Sequence, residues 1–93
     1  MFIKLNKVNK GVNDNFYLSE VRVNVSHISF IAENQEVRNM LVEGKINMNL
    51  NKMARFSDVS ITGPAGRQTI TVVGEPEVIE SKIISQNKQL LRG

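Results

Sequence analysis

FSDVSITGPAGRQTITVV, residues 56–73, is the stretch whose reading decides the fold. Two segments rich in β-branched residues, FSDVSIT and QTITVV, flank GPAGR. Pro64 suits the second position of a β-turn and Gly66 can take a positive φ. The stretch therefore reads as an antiparallel hairpin with a loop of about five residues. Directly after it the period changes. In EPEVIESKIISQNKQLL, residues 75–91, Val78, Ile79, Ile83, Ile84, Leu90 and Leu91 form an apolar stripe at helical spacing, interrupted at Gln86 and Asn87. Pro76 fits the first helical position, where its missing N–H leaves nothing unbonded. Glu75, Glu77 and Glu80 stand near the positive end of the helix dipole, and Lys88 and Arg92 near the negative end.

Upstream, the pattern remains that of strands. FIKLNKV, residues 2–8, puts Ile3 and Leu5 on one face and Lys4 and Asn6 on the other. KGVNDN has turn chemistry. In FYLSEVRVNV, residues 16–25, Val21, Val23 and Val25 oppose Glu20, Arg22 and Asn24. HISFIA, residues 27–32, continues the β pattern out of phase, so Ser26 marks a bend or bulge. ENQEVRNMLVEG, residues 33–44, has Val37, Met40 and Leu41 at helical spacing, yet a strand entered through a polar turn is the expectation taken. KINMNL, residues 45–50, alternates as a strand, and NKMAR, residues 51–55, reads as a loop.

The expected fold is α+β: a small antiparallel sheet or partly open barrel of five to six strands, closed by a C-terminal amphipathic helix. Residues 1–93 form a single domain, with a β module over 1–74 and the helix over 75–92. The 93 residues suffice for one modest core. No repeat or low-complexity tract divides them.

Composition excludes much chemistry. The chain has no cysteine, which removes disulfides, thiolate catalysis and the common zinc frameworks. A single histidine, His27, cannot supply a transition-metal site, and the nine carboxylates are scattered. Asp14 among asparagines lacks the spaced acidic ligands of a calcium loop. No cofactor and no metal are expected. No apolar run approaches the ~20 residues that span a bilayer, and the N-terminus lacks the apolar core of a signal peptide. A cytoplasmic protein without membrane contact is the expectation. The abundance of Asn and Lys suggests an AT-rich genome, as in many phages and low-GC bacteria.

The net charge of +3 is permissive for anionic partners but is not a dense basic patch. Candidate ligand contacts follow from side-chain chemistry. Arg22, Arg38, Arg55 and Arg67 lie in or beside β segments, and guanidinium geometry matches phosphate; Arg22, Arg55 and Arg67 are the ones taken as contacts. Phe56, next to Arg55, supplies an aromatic face for stacking, although neighbours on a strand point to opposite sides. Backbone N–H groups of GPAGR can form an anion nest beside Arg67. Asn24 and His27 share the polar side of their strand with Arg22. Catalysis by His27 needs a hydrogen-bonded partner that sequence does not reveal. The helix, about 17 residues and ~25 Å long, exceeds a typical ~17–20 Å strand. Homo-oligomerisation through its tail and an exposed edge strand is therefore expected.

Two resemblances sharpen this. Ile3 and Leu5, then Asn24 and Ile28, then Val73, Glu75, Val78, Ile79 and Ile83 resemble the layout of the small flagellar FlbD/SwrD-like β modules. The spacing around Gly74 and the long 33–55 stretch depart from it. The same order of a β module and closing helix is similar to phage proteins of the Thoeris anti-defence family. That resemblance implies an oligomeric sponge that binds cyclic-nucleotide immune signals without degrading them. The leading expectation is a non-enzymatic, phage-type protein sequestering a small phosphorylated, nucleotide-derived ligand. The alternatives are a protein-interaction module, either an inhibitor of a bacterial host protein or a flagellar accessory, and a nucleic-acid binder.

Overall fold

In the computed structural model, which describes residues 1–46, 50 and 53–92, five antiparallel strands form one open sheet with two α-helices. The side chains of residue 14 and of 86–92 lie outside the description. In chain order the elements are β1 (Phe2–Lys10), β2 (Phe16–Asn24), β3 (Ile28–Glu33), α1 (Gln35–Val42), β4 (Phe56–Gly63), β5 (Gly66–Val73) and α2 (Pro76–Arg92). The strand order across the sheet is β2-β1-β5-β4-β3.

The hairpin that decides the fold is tighter than its sequence suggests. β4 and β5 pair from Phe56↔Val73 to Gly63↔Gly66, so only Pro64 and Ala65 connect them. Gly66 has φ +112°, a conformation that disfavours any side chain. The outer residues of GPAGR thus belong to the strands.

The second correction concerns residues 33–44, where the strand expectation fails and α1 stands instead. Asn34 caps this helix, its Oδ1 accepting from the Val37 N–H at 3.1 Å. At the other end Gly44, at φ +73°, donates to Leu41 C=O, and Lys45 N–H donates to Met40 C=O. That pair of bonds is the Schellman stop, which favours glycine. The apolar residues Val37, Met40 and Leu41 then fall on one stripe, as their spacing requires. The strand expected over 45–50 lies mostly outside the described residues; Lys45 and Ile46 form a bend after the helix.

The bend at Ser26 is real and shapes the whole sheet. Val25–His27 form a 3₁₀ turn, and Asn24 Oδ1 accepts from Ser26 N–H at 3.0 Å. β2 and β3 are the two edges of the sheet, separated by four inter-strand spacings. At about 4.8 Å each, a flat sheet would hold them roughly 19 Å apart. The three linking residues reach about 14 Å at most. The sheet must therefore curl so that its edges approach at this corner. The phase slip seen in sequence is completed by a register shift between Ile28 and Phe30.

The sheet has two apolar faces. On one, Ile3, Leu5, Val23, Val59, Ile70 and Val72 pack with Ile79 of α2. On the other, Phe56, Leu41 of α1 and Ile46 are buried, with Val8, Phe16 and Val73 around them. The alternation of β1 explains the split: Ile3 and Leu5 point one way and Val8 the other.

Candidate functional site

β1 is fully paired with β2 from Phe2↔Asn24 to Lys10↔Phe16, but its other side meets β5 only at Lys7↔Val72. β5 ends at Val73 and the chain turns into α2, which packs beside the first half of β1 in place of a strand. A groove of about 920 Å³ results between the start of β1 and α2. Phe2, Lys4 and Arg22 line it from the sheet, and Val78, Ser81, Lys82 and Ser85 from the helix.

The backbone explains why the cations gather. Val25 N–H donates to Met1 C=O at 3.0 Å, which makes that pair hydrogen-bonded. Alternation then makes Lys4↔Arg22 a non-hydrogen-bonded pair, the kind in which facing side chains lie closest. Like charges directly opposite one another destabilise a ladder. The same alternation turns the Lys4 carbonyl toward α2, where Lys82 Nζ donates to it at 3.4 Å. Among the described residues, the groove lining contains Lys4, Arg22 and Lys82 and no carboxylate. Phe2 leaves 59% of its surface exposed at the groove edge. The arrangement offers three positive groups, an aromatic face and the Ser85 hydroxyl to one occupant, while the Ser81 hydroxyl donates to Glu77 C=O at 2.9 Å.

The six candidates from sequence separate. Arg22 lines the groove. Asn24 lies on the same face, opposite Phe2, with its side chain engaged in capping the 3₁₀ turn. His27 is exposed on that turn rather than on a strand. Arg55 is held by Glu33 at 3.2 Å and by Glu75 at 4.0 Å. It lines a smaller hollow of about 310 Å³ with Val73, Gly74 and Val78. Phe56 is fully buried, so its ring is committed to the second core and presents no face to a ligand. Arg67 lies over the Phe30 ring, 5.9 Å from its centroid, on the β4–β5 hairpin. Of the six, only Arg22 lines the larger groove.

Sequence reasoning missed Phe2, Lys4, Ser81, Lys82 and Ser85. The polar alternation of β1 flagged Lys4 as surface, but nothing local joins it to a helix 78 residues away. Among the described residues, no three His, Asp or Glu side chains gather as a metal ion would need. Among them too, no helix is long and apolar enough to cross a membrane. No protein-family model matches the chain, and no curated protein or solved structure matches it. The functional reading therefore rests on the chemistry of the groove.

Proposed function

We propose that the protein is a non-catalytic binder of a small phosphorylated ligand, held in the groove between the start of β1 and α2. The observation that supports this is the Lys4↔Arg22 cation pair in a groove that Lys82 also lines, with no carboxylate among the described lining residues. An anion placed among them relieves the repulsion between Lys4 and Arg22 and gains charge-assisted hydrogen bonds. Arg22 supplies a planar fork for phosphate oxygens, and Lys4 and Lys82 act as point charges. Phe2 stacks on a base or another flat ring. The likeness to the Thoeris anti-defence proteins narrows the ligand to a nucleotide-derived immune signal, which a phage protein would sequester rather than cleave.

Thermal unfolding with cyclic nucleotides and ADP-ribose derivatives tests the reading. A ligand present at 100 times its Kd stabilises the folded state by about 2.7 kcal/mol. In a domain of this size that raises Tm by at least about 10 °C. The shift is expected to shrink with added salt and to disappear in Lys4→Glu and Lys82→Glu. Absence of a shift with every cyclic nucleotide and ADP-ribose derivative would refute the proposal.

A further inference from the structure

The two sheet edges are not alike. β3 is six residues long and is interrupted by the register shift between Ile28 and Phe30. β2 runs for nine residues in unbroken register with β1, and it contains no proline. Natural edges are blunted by shortness, bulges, proline or charged side chains; β2 has none of the first three, and its only charges are Glu20 and Arg22. Among the described residues its outer side has no strand neighbour, and it carries the exposed Tyr17 and Leu18.

We infer that the free edge of β2 pairs with β2 of a second copy, antiparallel and centred on Val21. The backbone orientation limits the possible registers. Val25 bonds toward β1, so Val23, Val21 and Ser19 also face β1, and the N–H and C=O groups of Leu18, Glu20, Arg22 and Asn24 face outward. Symmetric pairing joins these outward groups and can centre on Ser19, Glu20, Val21 or Arg22. Centring on Ser19 sets Glu20 against Leu18 and Arg22 against Phe16 and gains no charge pairing. Centring on Glu20 or on Arg22 sets that residue against its own copy, like charge against like. Centring on Val21 sets Glu20 opposite Arg22 twice, once on each side of the two-fold axis, and opposite charges across a ladder stabilise it. The strand is thus self-complementary in one register, as an isologous interface requires. Arg22 can serve both this pairing and the groove, because a guanidinium has five N–H donors. The pairing does not depend on the ligand reading and is measured without any ligand.

The experiment is a molar mass in solution over a concentration series of the full chain, with far-UV circular dichroism to verify the fold of each variant. The expected mass is twice the 10.5 kDa of the chain. Glu20→Arg alone and Arg22→Glu alone return it to the monomer, and the two together restore the dimer. The chain has no cysteine of its own, so Val21→Cys gives an independent readout of register. Val21 meets its own copy on the axis in a non-hydrogen-bonded pair, about 4.5 Å between Cα atoms, within disulfide range. Mild oxidation is expected to yield a covalent dimer. A monomer at every concentration, single charge reversals that leave the dimer intact, or a Val21→Cys chain that fails to cross-link would each overturn the inference.

Discussion

Arg22 and Arg55 look alike in sequence, each an arginine in or beside a β segment, yet the fold gives them opposite surroundings. Arg55 stands between Glu33 and Glu75, and its neighbour Phe56 is buried beneath α1. Arg22 stands opposite Lys4 in a groove that Lys82 also lines. One arginine is neutralised by its own chain and ties the end of β3 to the turn before α2. The other adds to a local excess of positive charge. The lesson is that an arginine becomes a binding candidate through the charges the fold leaves beside it, more than through its own type.

The comparison breaks most sharply at Phe56. If the Arg55–Phe56 region is structural, Phe56→Ala lowers stability by about 3–5 kcal/mol, the usual result of emptying a buried aromatic site. Urea unfolding measures this, and a loss well under 1 kcal/mol would return Phe56 to the list of surface contacts. Next is Asn34, which caps α1 and also donates from Nδ2 to Asp58 at 2.9 Å. Asn34→Ala is expected to remove about 1 kcal/mol, and a neutral result would mean that α1 is held by its apolar stripe alone.

The groove side predicts the opposite sign. Arg22→Glu turns the Lys4↔Arg22 pair into an attractive one and is expected to raise stability by about 0.2–1 kcal/mol while abolishing anion binding. Measured on dilute protein at low salt, a loss of stability would show that the two cations do not repel. The smallest effect belongs to Arg55→Ala. Exposed ion pairs contribute roughly 0.2–1 kcal/mol, so a modest loss that shrinks with salt is expected, with ligand binding in the groove unchanged.

Much of the fold was legible in the sequence because it is local. The β4–β5 hairpin, the alternation of β1 and β2, the bend at Ser26 and the start of α2 at Pro76 all follow from backbone geometry acting over a few residues. α1 was legible as well, in the capping Asn34, the Val37–Met40–Leu41 spacing and Gly44. The strand expectation gave these less weight than the β character of the segments around them. The groove was not legible beyond Arg22. It exists because β5 ends early and leaves half of β1 to be flanked by a helix, and neither strand's composition specifies where its neighbour stops.

What the sequence determined by itself was therefore the kind of element at most positions, together with the absence of cysteine chemistry, since periodicity and residue inventory need no tertiary knowledge. Tertiary structure decided which charges stand together. The Lys82 ammonium reaches the Lys4 backbone carbonyl across 78 residues of chain, and Phe56 vanishes under a helix that the strand reading had left out. Electrostatic and packing energies depend on distance through space, and along this chain that distance is set by a curled sheet whose two edges are joined by three residues.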